Sequence, residues 1–263
     1  AVLVDADAAP RFSHIWRNFT GDARSFEELA HEGKRDIMRT ALASELQVLS
    51  TALLRIARAD RRTRDYTHNE LRRGLAEVVA NMPVYRSYIV DQPSEQDRRF
   101  IEWAVTDAQR KSPDADMSIF GFVRQSLLAQ AVPDASDELR EQVRRFAARF
   151  QQYSAPVTAK GVEDTAFYRY FPLSSLNEVG GEPSIFGVST EDFHTANAVR
   201  CQRWPHTMLA TSTHDNKRSE DVRCRINVLS EMPALWRLAL RRWRHMNRAA
   251  RTEWQVHGAS AHA

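Results

Sequence analysis

The sequence predicts a mainly α-helical chain with a few parallel strands in its second half, and three observations carry that prediction. Up to about residue 150, apolar residues recur at intervals of three and four, the period of one helix face. Helix-start signals stand ahead of those runs: Ser25 with Glu28, Thr67 with Glu70, and Ser94. Beyond Tyr153 the order becomes strand, helix, strand, helix, consistent with part of a parallel (β/α)8 TIM barrel. The chain is thus read as an α-helical subdomain over residues 1–150 and a partial barrel segment over residues 151–263.

Each element follows from its residues. A short apolar stretch and Asp5-Ala6-Asp7 precede Pro10, and Arg11–Phe19 is aromatic and mixed. Ser25 and Glu28 form a capping box that opens a long helix carrying Leu42, Leu46, Leu49, Leu53 and Ile56 on one face, with Gly33 as a candidate break. Thr67 and Glu70 open a second helix that Pro83 stops. The stretch Pro83–Tyr88 reads as short and extended. Further helices carry Ile101 to Ala108, Ile119 to Leu127, and Leu139 to Phe150, which makes the first half a bundle. Pro156–Ala159 and Thr207–Ser212 read as strands. Between and after them Ser189 with Asp192, Ser219, and Pro233 each start a helix. No fixed period recurs, so the chain is no repeat array.

Composition excludes several classes. Of 263 residues 43% are apolar and 27% charged, which is ordinary globular usage. Against 37 basic residues stand 34 acidic ones, interleaved as on solvated helices, so no one-sign surface points to nucleic acid. No run approaches the roughly 18 apolar residues of a membrane span, and no signal segment is recognisable; no membrane role and a cytoplasmic setting are expected. Cys201 and Cys224 lack metal-ligand or CxxC spacing and read as free thiols, and neither a metal nor another cofactor is expected. Asn18-Phe19-Thr20 fits a glycosylation sequon by coincidence, given no secretory signal. The start at Ala1-Val2-Leu3 and the small residues of Gly258–Ala263 suggest a piece of something longer.

Chemistry concentrates where the expected strands end, because side chains at the C-terminal ends of barrel strands converge on one cleft. Around the second strand, Met208–Ser212 leads into Thr213-His214-Asp215-Asn216-Lys217-Arg218. Taken alone, His214-Asp215 reads as a surface histidine beside a helix-capping aspartate. Around the first, Lys160, Glu163 and Asp164 follow directly; local ion pairing among them and substrate contact are both open, as they are for Lys217 and Arg218. Phe167-Tyr168-Arg169-Tyr170-Phe171 sets aromatics on successive positions, which cannot all face inward from one helix. Some of the rings are therefore expected at a cleft, where they suit the apolar faces of sugars. Asn177-Glu178-Val179-Gly180-Gly181-Glu182-Pro183 is either an ordinary turn or a loop presenting Asn177 and Glu178 to a ligand, and its glycines lack a phosphate-loop spacing.

Three runs, AKGVEDTAFYRY (Ala159 to Tyr170), LNEVGGEP (Leu176 to Pro183) and ATSTHDNKRSEDVR (Ala210 to Arg223), resemble in this order the signatures of the maltooligosyl trehalose synthase family. That family is a branch of the α-amylase superfamily. It converts the terminal α-1,4 linkage of a maltooligosaccharide to the α,α-1,1 linkage of trehalose. The stretches Ser25 to Arg39 and Leu54 to Asp60 fit more weakly. The resemblance implies that the strands expected at Pro156–Ala159 and Thr207–Ser212 are the sixth and seventh of the barrel, with the helical half as an insertion. It implies that Asp215 is the third catalytic carboxylate and His214 the neighbouring histidine on the same sugar. Substrate contacts are then expected from Lys160, Glu163, Asp164, Phe167, Tyr168, Tyr170, Lys217 and Arg218. The family's nucleophile and acid/base lie on earlier strands, expected upstream in a longer protein, and no block of that kind is recognisable here. This chain alone is therefore expected not to turn over a maltooligosaccharide.

A reading from a different class treats the chain as a self-contained helical module whose Arg-rich faces bind nucleic acid or an acidic partner. Charge balance and the strand-loop blocks argue against it, and salt-sensitive nucleic-acid binding would support it.

Overall fold

A computed structural model describes residues 2–131, 135–213, 216–250, 253–256 and 259–262. Ten α-helices are described: α1 (Ala9–Thr20), α2 (Phe26–Arg39), α3 (Ala43–Arg58), α4 (His68–Ala80), α5 (Glu95–Lys111), α6 (Met117–Leu127), α7 (Asp137–Thr158), α8 (Thr190–Arg203), α9 (Glu220–Asn227) and α10 (Pro233–Met246). The strands described, Glu253–Val256 and Ala259–His262, pair antiparallel with Glu253 opposite His262. Two compact units result, Ser25–Arg169 and Ala1–Arg24 with Tyr170–Ala263. No described helix is long and apolar enough to cross a membrane.

The Ser25–Arg169 unit is a bundle of α2 to α7. Its helices bury the residues that the helical period selects: Leu46, Leu49, Leu53 and Ile56 of α3, Leu71, Leu75 and Val78 of α4, Ile101, Ala104 and Ala108 of α5. Phe120 and Val123 of α6 and Phe146, Phe150 and Val157 of α7 complete one continuous core. Each fully buried Leu or Phe contributes about 1.5–3 kcal/mol. The starts are fixed by capping boxes. The Ser25 N–H donates to Glu28 Oε2 at 2.7 Å, Thr67 N–H to Glu70 Oε2 at 2.9 Å, and Ser94 N–H to Asp97 Oδ2 at 3.1 Å. Each cap satisfies backbone donors that a helix start leaves free. The loop before α5 is pinned to α7, since the Gln151 amide both accepts from the Ile89 N–H at 2.7 Å and donates to the Ile89 carbonyl at 3.0 Å.

Gly121 sits inside α6 with no atom within 4 Å of a built Cβ. There the glycine costs backbone entropy without serving packing. Gly121→Ala is expected to stabilise the chain by about 0.5–1 kcal/mol in urea unfolding; a lower midpoint would contradict the packing described.

A buried charge network crosses α2 and α4. His31 Nε2 lies 2.6 Å from Glu77 Oε1, Arg35 Nη1 lies 3.5 Å from Oε2, and Asn81 Nδ2 donates to Oε1 at 3.3 Å. Burial alone raises the Glu77 carboxyl, but the hydrogen bond and charge of His31, with Arg35 and Asn81, outweigh it and hold Glu77 below its ordinary value of 4.5. A depressed carboxyl contributes stability that is present above its unfolded value and is lost as pH falls through its folded one. Urea midpoints are therefore expected to drop on acidification below about pH 4.5, and Glu77→Gln to flatten that acid limb. An acid limb of unchanged slope in Glu77→Gln would show that other carboxyls carry it.

The second unit has a smaller core of Val4, Ala8, Phe12, Leu173 and Phe186, against which Ile226, Leu229 and Trp236 pack. Phe12 and Phe186 lie 5.3 Å apart, and the Asp5 N–H donates to Ser230 Oγ at 2.9 Å, tying the chain's start to the turn before α10.

The structure differs from the sequence expectation in four places. The long helix expected from Ser25 breaks at Thr40, with φ −115 and ψ −94, not at Gly33. Thr40 Oγ1 donates to the Asp36 carbonyl at 2.7 Å, a side-chain bond that competes with helix continuation. The strand expected at Pro156–Ala159 is helical. The stripe Val143, Phe146, Phe150, Tyr153, Val157 runs through it with a helical period, and Pro156 lies inside α7. The strand expected at Thr207–Ser212 is irregular and exposed, Met208 being 96% accessible. A strand needs a second strand to pair with its backbone groups, and among the described residues no strand pairs with this segment. Consequently no parallel sheet or barrel is present among the described residues, and the boundary expected at residue 150 falls within α7.

Candidate functional site

The first motif block begins where α7 ends. A π-helical turn, Ala159–Glu163, follows it directly, a conformation frequent at functional sites. This turn sits against α2 at a glycine-to-glycine contact. A Cβ on Gly33 would lie 2.3 Å from the Gly161 carbonyl oxygen, and one on Gly161 2.6 Å from Lys34 Cα. Lys34 itself reaches the Met82 carbonyl with its Nζ at 2.8 Å. Tyr85 donates its hydroxyl to Glu163, which is buried. On the outer side of the turn Lys160 Nζ and Asp164 Oδ2 pair at 2.7 Å, both side chains well exposed. Phe167 is buried and stacked on Phe26 with ring centroids 5.8 Å apart, whereas Tyr168 is 65% accessible. The successive aromatics thus divide between core and surface.

The other two blocks lie in the second unit, where one carboxylate joins them. Glu178 Oε1 accepts from the Lys217 N–H at 3.2 Å, while its Oε2 lies 3.7 Å from Arg223 Nη1. Arg223 in turn donates to the Thr211 carbonyl, and Thr211 donates its hydroxyl to Glu220. The loop that carries Glu178 turns at Gly180, whose φ of 70 is left-handed and suits glycine. Asn177 is buried and donates to the Tyr170 carbonyl at 2.6 Å. Tyr170 is half-buried edge-on to Trp16, at 6.2 Å between ring centroids, and burial pushes its hydroxyl above the ordinary tyrosine value. Lys217 and Arg218 are half-buried. His214 and Asp215 lie outside the described residues; beside them the Thr213 N–H donates to Asn216 Oδ1.

Lys160, Asp164 and Tyr168 are therefore exposed, the first two as an ion pair, while Glu163 and Phe167 are buried. In the second unit the Glu178–Arg223 clasp brings the turn-rich block onto the segment that flanks His214 and Asp215. Among the described residues no group of three or more His, Cys, Asp or Glu side chains is placed to hold a metal ion.

The chain is similar to solved structures in sequence and in fold. A maltooligosyltrehalose synthase from Arthrobacter ramosus superposes with a TM-score of 0.74 at 36% identity, over 90% of this chain and 27% of that one. In sequence and in fold, the chain matches one stretch of a maltooligosyl trehalose synthase. A hypothetical maltooligosyl trehalose synthase from Sulfolobus tokodaii superposes at 0.66 and 25% identity, over 94% of this chain and 28% of its own. A Mycobacterium tuberculosis (strain ATCC 25618 / H37Rv) protein carrying the maltooligosyl trehalose synthase name is 37% identical over 235 residues, 89% of this chain. The chain spans about a quarter of that relative's length, 27%. No protein-family model matches the chain.

Sequence reasoning missed three contributors to these synthase-like blocks. Arg223 lies within the third block, and its pairing with Glu178 of the second block carries no local sequence signal. Tyr85 sits 78 residues from Glu163 and carries no local signal. The Gly33–Gly161 contact was legible only as a candidate helix break.

Proposed function

We propose that this chain is a portion of an intramolecular transglycosylase that converts the terminal α-1,4 linkage of a maltooligosaccharide to the α,α-1,1 linkage of maltooligosyl trehalose, in trehalose biosynthesis. The observation that carries the proposal is the match in sequence and fold over nine-tenths of the chain to synthases of that name. Retaining transfer at an α-glucoside needs a carboxylate nucleophile and a carboxylic acid across the scissile bond. In this reading a longer polypeptide supplies both, and this chain supplies Asp215, whose bonds to ring hydroxyls tighten as the sugar flattens toward its oxocarbenium-like form. His214 holds the same sugar. Only bonds that strengthen toward the transition state lower the barrier, which is why a carboxylate that never forms a covalent bond still matters to rate.

The remaining residues take two kinds of part. Lys160, Asp164, Tyr168, Tyr170, Lys217 and Arg218 contact the glucan, the tyrosines through the apolar faces of the sugars. Glu163, held by Tyr85, and Phe167, stacked on Phe26, keep the π turn in shape beneath Lys160. Excluding water from the intermediate separates isomerisation from hydrolysis.

The test is product analysis on maltopentaose. This chain is assayed alone and as a replacement for the matching stretch of the Arthrobacter ramosus synthase. A non-reducing trehalosyl product from the chimera and none from the chain alone is the expected result. A folded chimera that leaves maltopentaose unchanged would count against the reading.

A further inference from the structure

A cleft of about 480 Å³ opens in the Ser25–Arg169 unit where α2, α4 and the loop between α5 and α6 meet. Five cations line it: Arg35, Arg39, Arg72, Arg73 and Lys111. Three already have partners, Arg35 on Glu77 at 3.5 Å, Arg39 on Asp36, and Lys111 on Asn81 Oδ1 at 2.8 Å. Most lining carboxylates are engaged as well. Glu70 accepts from the Thr67 N–H at 2.9 Å, Asp116 from the Ser118 N–H at 2.8 Å, and Glu77 lies in the His31 network. Asp114 remains, exposed in the loop.

Arg72 is different. It is partly buried on the α4 wall and forms no hydrogen bond or ion pair among the described residues; its Nε is shut off from water, which leaves Nη1 and Nη2 as the donors it can offer to the cleft. Arginine is seldom buried without a partner, because a guanidinium N–H taken from water loses its hydration and gains nothing in return. Arg73, its neighbour at the rim, also forms no hydrogen bond or ion pair among the described residues. The cleft therefore holds two unmatched guanidinium groups against one exposed carboxylate.

We propose that this cleft is an anion site that takes a phosphoryl group, as free phosphate or as a phosphomonoester, with Arg72 as its anchor and Arg73 at its rim. A guanidinium presents parallel N–H donors that match two oxygens of an oxyanion, and a tetrahedral dianion has oxygens and charge left for a second arginine. The site lies within one unit and does not depend on the glucan reading, so either can fail alone.

The test titrates the whole 263-residue chain with inorganic phosphate and, separately, with methyl phosphate, at constant ionic strength held with sodium chloride. Melting temperature and phosphorus-31 line width are read. The expected result is a saturable rise in melting temperature with either probe or both. The probe that saturates at lower concentration names the source as free ion or ester. Arg72→Met is expected to weaken the midpoint about tenfold or more, and Arg72→Lys, which keeps the charge but loses the fork, to weaken it less. Arg72→Met leaves no partner stranded, so its fold is expected to survive, and circular dichroism confirms that. No saturable response from the parent chain to either probe, or a folded Arg72→Met that titrates like the parent, would overturn the proposal.

Discussion

Gly33→Ala is expected to destabilise the chain by about 3 kcal/mol, at the upper end of what overpacking costs. The new Cβ would lie 2.3 Å from the Gly161 carbonyl oxygen and 3.2 Å from its carbonyl carbon, both backbone atoms that no rotamer change can move aside. Relief requires α2 to separate from the π turn after α7. That separation strains the Phe26–Phe167 stack, which joins α2 to the turn just after the π turn. Gly161→Ala meets the mirror obstacle, Lys34 Cα and N each at 2.6 Å, and should be at least as harmful. Urea unfolding of both variants beside Gly121→Ala separates this from the intrinsic effect of losing a helical glycine. Unfolding midpoints for Gly33→Ala at or above the parent's would mean that the two elements do not approach as described.

Much of the bundle was legible because its determinants are local. The Ser25, Thr67 and Ser94 caps and the three-four apolar spacing in α3 to α7 need nothing beyond a window of a dozen residues. The two strands failed for physical reasons of different kinds. Ala155–Ala159 looks extended because Val157 and Thr158 are β-branched and Pro156 is there, but the apolar stripe of α7 continues through it and packing overrides propensity. Thr207–Ser212 has strand-like residues, but a strand is a property of a pair, and its pairing partner cannot be read from the segment itself. The same limit hid the site's scaffolding. Lys160 and Asp164, four apart, are a local pair that spacing foretells, whereas Tyr85 with Glu163 and Glu178 with Arg223 are joined only by the fold. What the motif blocks did convey was the likeness to the synthases, and the Glu178–Arg223 clasp brings two of those blocks together.

The second large effect is on rate. Asp215→Asn keeps the size of the side chain and one acceptor oxygen, but replaces the other oxygen by an NH2 donor and removes the negative charge. Under the proposed function, the chimera carrying this substitution still binds the ground-state sugar, while the developing positive charge of the oxocarbenium-like sugar loses its stabilisation. Turnover should fall by about 100-fold or more with KM little changed, the pattern of an interaction made mainly in the transition state. Under the same proposal, Lys160→Met, at an exposed position paired with Asp164, should instead raise KM more than it lowers kcat.

The measurement to make is the rate of trehalosyl product formation from maltopentaose by the chimera that carries this chain, with Asp215 and with Asn in its place. Product from the first and a loss of about 100-fold or more in the second, with equal melting temperatures, is the predicted result. Equal rates from the two proteins would contradict the assignment of Asp215 and, with it, the placement of this chain in the synthase's catalytic centre.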